Sequence, residues 1–134
     1  MIPQEKLQEI INVLIKKIDP YVIILFGSAA QDRLRSDSDL DLAYLSDISL
    51  GNYERFLLSQ ELANLLNNNV DLIDLNIAST VFQAEIIHNG KVIHCSDDER
   101  RLNFEIKILK MYAKLNEERK EILDHIKKRG SIYE

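Results

Sequence analysis

Apolar residues along this chain fall into segments of two different periods, separated by short polar runs. Leu7, Ile10, Ile11, Leu14, Ile15 and Ile18 recur at helical spacing, and Pro3 suits the first turn of the helix they predict. Asp19-Pro20 stops that helix, because the residue before a proline is pushed out of the helical region. Tyr21 to Phe26 is almost wholly apolar, the pattern of a central strand buried on both sides. Gly27-Ser28 begins a tight polar connection with room for a helical turn, and Leu40 to Leu45 reads as the second strand. Asn52 to Asn67 reads as a helix carrying Phe56, Leu57, Leu62, Leu65 and Leu66, stopped by Asn67-Asn68-Asn69. Val70 to Leu75 is the third strand. Ser79 or Thr80 caps a helix that ends at Gly90, and Lys91 to Cys95 makes a short edge strand.

Ser96-Asp97-Asp98-Glu99 has the spacing of a capping box and opens the longest helix, which ends near Gly130. Its stripe of Phe104, Ile108, Met111, Leu115, Ile122 and Ile126 has near-heptad spacing, interrupted by Glu118. The first half can pack on the domain. The second half, Asn116 to Arg129, alternates a narrow apolar seam with dense charge; contact with a partner, in a homo- or hetero-oligomer, and packing on its own core are both open. Helices alternating with strands around one core predict an α/β (α+β) domain with a small mixed sheet flanked by helices. No linker or repeat divides the chain, so residues 1–134 form one domain, with a core over 1–95 and the long helix over 96–130.

Composition narrows the function. The 134 residues are 46% hydrophobic and 29% charged, and no apolar run approaches the roughly 20 residues of a membrane span. The start, Met1-Ile2-Pro3-Gln4-Glu5, lacks the basic region and apolar core of a signal peptide. A single cysteine, Cys95, excludes an internal disulfide and fits a reducing cytoplasm. The net charge of −5 argues against a long nucleic acid as partner.

Against that ordinary background Asp39 and Asp41 stand out. In a strand they share one face, about 6.5–7 Å apart at the backbone, while Leu40 and Leu42 fill the other. Two such charges repel by roughly 2 kcal/mol at an effective dielectric of about 20. A divalent cation turns that repulsion into attraction, and Mg²⁺ characteristically combines one or two carboxylates with substrate phosphates. Solvation on an edge strand, or pairing with Arg33 or Arg35, are the alternatives. Gly27-Ser28 favours the cation, since a glycine at a strand end lets backbone amides approach a phosphate that the serine hydroxyl can bond. Ten residues, Ala29 to Ser38, separate Gly27-Ser28 from Asp39-Leu40-Asp41.

This pattern, Gly-Ser, ten residues, then Asp-x-Asp between apolar strands, resembles the nucleotidyltransferase superfamily that includes DNA polymerase β. It is most similar to the minimal nucleotidyltransferases of the MNT family, which are paired with HEPN-domain toxins. The likeness extends over nearly the whole chain, including the "VDLIDL" and "IIHNGKVIH" segments. It implies the polymerase β-like fold, and transfer of AMP from ATP to a tyrosine hydroxyl of a cognate HEPN toxin. Gly27 and Ser28 would hold the triphosphate; Asp39 and Asp41, with Asp71 as the third carboxylate, would bind two Mg²⁺ ions. Asp74, three positions on, faces the other way in an ideal strand, and Asp71 is preferred over it. Where many relatives read Gly-Ser-x-Ala-Arg-Gly, this chain has Gln31-Asp32 in the last two places, and Arg33 or Arg35 could compensate. Two other readings remain: a non-catalytic antitoxin that blocks its toxin by occlusion, and an enzyme acting on a small molecule such as an aminoglycoside.

Overall fold

In the computed structural model, which describes residues 2–27 and 39–133 and their side chains as far as Lys128, four helices surround a four-stranded mixed sheet. The elements run α1 (Gln4–Ile18), β1 (Val22–Phe26), β2 (Leu40–Leu45), α2 (Asn52–Leu66), β3 (Val70–Asp74), α3 (Thr80–Asn89), β4 (Lys91–Cys95) and α4 (Asp98–Tyr133). Strand order is β3-β2-β1-β4; β1 is antiparallel to both of its neighbours, whereas β2 and β3 are parallel. A parallel pair needs a crossover, and α2 supplies it.

Each face of the sheet carries its own core. On one, Ile10, Leu14 and Ile18 of α1 and Leu58 and Leu62 of α2 meet Ile23, Leu25, Leu40, Leu42, Tyr44 and Leu72. On the other, Ile86 of α3 packs with Val22, Ile24, Ala43, Leu45 and Leu75, and Phe82 and Phe104 close over them. Val22 through Leu25 are therefore all buried, as a central strand's unbroken apolar run requires.

Local signals explain most boundaries. Asp19 (φ 42°) and Asn67 (φ 56°) end α1 and α2 in the left-handed conformation. The Ser79 hydroxyl accepts the Phe82 N–H at 3.2 Å to cap α3. Three expectations need correction. The side chain that caps α4 is Asp97, not Ser96: its Oδ1 accepts the Arg100 N–H at 3.1 Å, and the helix starts at Asp98. That helix runs on to Tyr133, past Gly130, because one glycine within a helix costs only about 1 kcal/mol. On α2, Phe56 and Leu57 are 56% and 49% exposed, and Leu58 takes their place beside the expected Leu62 in the core. The connection after Gly27 lies outside the described residues.

Both ends of the sheet can be located from the pairing. Phe26, Asp41 and Asp71 lie level with one another at one edge, where β1 ends and β2 and β3 begin. Val22, Leu45 and Cys95 lie level at the opposite edge. There Arg100, at the start of α4, makes two hydrogen bonds to Asp47 (2.8 and 3.1 Å) and stacks 3.8 Å above the Tyr21 ring.

Candidate active site

The first edge carries the residues the sequence singles out. Asp41 pairs across the sheet with Phe26 on one side and Asp71 on the other. Its neighbours Leu40 and Leu42 point into the α1/α2 core, so alternation sends Asp41 to the α3/α4 side, along with Ala43 and Leu45. Asp71 lies between Val70 and Leu72 of the α1/α2 core and so faces the same side as Asp41. Asp39 directly precedes β2 and is exposed, as is Asp71, while Asp41 is half-buried.

Gly27 completes this edge. It adopts φ +70°, and a β-carbon there would collide with the Asp41 Oδ2 and lie 3.2 Å from its Cγ. Only glycine lets the chain turn away from β1 while the carboxylate stays in place. Ser28 lies outside the described residues, as do Gln31, Asp32, Arg33 and Arg35.

Electrostatics mark Asp41 as the strained member. Burial pushes its carboxyl pKa up, and the like charges of Asp71 and then Asp39 push it further. Among the described residues, no salt bridge reaches any of these three carboxylates. Nor, among those residues, do three His, Cys, Asp or Glu side chains gather tightly enough to hold an ion by themselves. A cation at this edge has to complete its shell with oxygens from elsewhere.

Asp74 sits apart from the others. It is only 6% exposed, shares the α1/α2 side with Leu72, and its Oδ1 accepts the Asn76 N–H at 3.0 Å. Its register partner is Tyr44, whose buried hydroxyl lies beside Arg55. Burial raises the Tyr44 pKa, Asp74 adds to the effect and Arg55 opposes it. The sequence carried no signal for this buried polar cluster, because Tyr44 reads there as one more apolar strand residue.

A small mixed sheet with carboxylates paired across its parallel strands, beside a glycine turn, is the architecture of a nucleotidyltransferase. The chain belongs to the family described as polymerase beta nucleotidyltransferase, whose model matches residues 8–99. Among similar proteins is the protein adenylyltransferase MntA of Shewanella oneidensis, 38% identical over 105 residues, which cover 78% of this chain and 75% of MntA. A chain from a crystal structure of a toxin–antitoxin with AMP-PNP superposes with a TM-score of 0.79 at 37% identity, covering 89% of this chain and 96% of that one. A chain from the tri-AMPylated Shewanella oneidensis HEPN toxin in complex with MNT antitoxin gives 0.75 at 35% identity, covering 92% and 97%. Among the described residues, no helix is long and apolar enough to cross a membrane.

Proposed function

We propose that this chain is the antitoxin of a toxin–antitoxin pair and works as an enzyme: it transfers AMP from ATP to a tyrosine hydroxyl of a cognate HEPN toxin and so silences it. The observation that carries this reading is the Asp41–Asp71 pair beside Gly27, in a chain 38% identical to a protein adenylyltransferase. Carboxylates paired across adjacent strands, with no salt bridge to a basic side chain among the described residues, suit Mg²⁺, which takes one or two carboxylates and completes its shell with phosphates. Asp39, Asp41 and Asp71 would hold two such ions; when bound, they offset the charge that develops on the α-phosphate.

The chain's own residues supply the rest. Gly27 turns the backbone at the end of β1, and it and Ser28 are the residues assigned to the triphosphate. Asp71, exposed on the same side as Asp41, accepts the proton of the incoming tyrosine. That tyrosine is a poor nucleophile at its free pKa of about 10, so proton acceptance is needed. The acceptor oxygen bonds to the α-phosphorus, the bond to the bridging oxygen of pyrophosphate breaks, and pyrophosphate leaves with its electron pair. Residues 1–134 act as one nucleotidyltransferase domain, in which the acceptor comes from another protein.

The test incubates the chain with labelled ATP, Mg²⁺ and the HEPN protein encoded beside it, and locates the label by mass spectrometry. Wild type should label a tyrosine of the toxin, and Asp39→Asn or Asp41→Asn should reduce the rate at least a hundredfold. A toxin that Asp39→Asn still neutralises in cells would establish occlusion instead. Label found only on a small molecule would remove the protein acceptor.

A further inference from the structure

The edge that carries the carboxylates is flanked, on the side they face, by the last turn of α3. Asp41 and Asp71 project to the α3/α4 side, level with Phe26 at the end of β1. Helix α3 ends at Asn89; Gly90 then lies against Ile24 and the Leu25 carbonyl, and Lys91 pairs with Leu25. The last turn of α3 thus stands one residue short of the Phe26–Asp41 pair. Helix α4 packs beside it, with Phe104 in the α3-side core and Ile108 only 2% exposed. One turn further on, Tyr112 and α3 enclose a groove lined by Val81, Ala84, Glu85, His88 and Asn89.

This groove is mixed in character. Val81 and Ala84 give it apolar surface, Tyr112 is half-buried, and Glu85, His88 and Asn89 are exposed polar residues. Among the described side chains, Tyr112 is the aromatic left for a ligand at this end. Phe26 and Phe82 meet edge to face at 5.8 Å within the core, which Phe104 also joins. Tyr21 lies under Arg100 at the opposite edge, Tyr44 is buried on the other side of the sheet, and Tyr53 and Phe56 stand on α2.

We propose that this groove takes the base of the nucleotide: adenine stacks on the Tyr112 ring and turns its exocyclic amine to Glu85 and Asn89. The proposal rests on the nucleotidyl-transfer function argued above and adds the residues that select the base. Position favours it. From Asp41 across β1 to β4 is two strand spacings, about 10 Å, so the ribose bridges from an α-phosphate at the carboxylates to a base at the end of α3. Chemistry favours the same occupant. Every base has a face that stacks on an aromatic ring, so Tyr112 gives affinity without choice. Choice comes from the edge of the base. A carboxylate only accepts hydrogen bonds, so Glu85 suits the N6 amine of adenine and opposes the O6 of guanine, and Asn89 can pair with N6 and N7. The same carboxylate repels phosphate, which leaves the groove to the uncharged end of the nucleotide.

The test measures binding to the full chain by calorimetry in Mn²⁺, with AMP-PNP, GMP-PNP and inorganic tripolyphosphate, which has no base. Wild type should bind AMP-PNP at least tenfold more tightly than GMP-PNP. Tyr112→Leu keeps an apolar side chain against α3. It should weaken AMP-PNP at least fivefold, the lower end of what base stacking contributes, and leave tripolyphosphate within twofold. Tyr112→Phe should stay within twofold for both. Glu85→Gln, at an exposed residue, should reduce the preference for AMP-PNP over GMP-PNP at least fivefold. Wild-type AMP-PNP binding by Tyr112→Leu would overturn the proposal. So would equal losses of AMP-PNP and tripolyphosphate, since the ring would then act through the fold and not on the base. An unchanged base preference in Glu85→Gln would overturn the assignment of the amine. No transfer is read in these measurements. They therefore decide for or against the groove even where labelled ATP leaves the HEPN protein unmodified, the outcome that ends the transfer reading.

Discussion

The carboxylate of Asp41 occupies the space that a side chain on Gly27 would need. The two residues are neighbours only through the sheet, since Phe26 pairs with Asp41 and the chain turns at Gly27 with φ +70°. Gly27→Ala therefore meets two obstacles, the left-handed backbone and the carboxylate. We expect a loss of about 1–2 kcal/mol from the backbone term alone, measured by denaturant unfolding. Transfer should fall at least tenfold, because the carboxylate must move. Removing the obstacle with Asp41→Ala in the same chain should recover part of the stability and none of the activity. Strict additivity of the two losses would show that the residues are not coupled.

Asp41 also ties function to stability. Burial, with Asp71 and Asp39 nearby, raises its pKa above the ordinary 3.8, so the folded state binds this proton more tightly than the unfolded chain. The stability this group contributes is therefore greatest below 3.8 and declines as pH rises through the shifted pKa. Asp41→Asn should then raise Tm at pH 7, by roughly a few degrees, while abolishing transfer. The gain should shrink as the comparison moves toward pH 4. A lower Tm at pH 7 in metal-free buffer would show that the charge is already compensated.

Helix α2 offers a test of the core. Its apolar residues lie all round it, so periodicity alone cannot choose the buried face. Leu62 is fully buried between α1 and the sheet, and Leu62→Ala should destabilise by about 2–5 kcal/mol. Phe56→Ser, at a residue 56% exposed, should stay within about 0.5 kcal/mol of wild type. Urea midpoints of the two variants give the answer, and a reversed order would place the wrong face inward.

Strand limits were legible because each strand is a short apolar run closed by turn residues; Leu40–Leu45 and Lys91–Cys95 are found where the pattern puts them. The face that Asp41 takes also followed from alternation with Leu40 and Leu42. What sequence could not carry is tertiary competition. Asp97 displaces Ser96 as cap of α4 although both side chains can cap a helix. Phe56 is exposed because the α1 surface meets Leu58 and Leu62 instead. The contact between Gly27 and Asp41 depends on strand register, and nothing local in either segment encodes it.

The two aspartates of β3 should separate in function. Asp71 is exposed, pairs with Asp41 and faces the α3/α4 side; Asp74 is buried on the opposite side and accepts the Asn76 N–H. The same strand thus gives one carboxylate to the open edge and the other to the interior. Asp71→Asn keeps the shape and removes the proton acceptor, so it should retain ATP-analogue binding within a few-fold and lose transfer by at least a hundredfold. Its thermal stability should hold or rise, since one like charge near Asp41 is gone. Asp74→Ala should do the reverse. It removes the acceptor of the Asn76 N–H and a buried neighbour of Tyr44, for a loss of about 1–3 kcal/mol. Transfer measured well below its Tm should remain near wild type. Urea unfolding and labelled-ATP transfer on the two variants decide the matter. Transfer lost in Asp74→Ala but intact in Asp71→Asn would move the third carboxylate to the buried side and overturn the site described here.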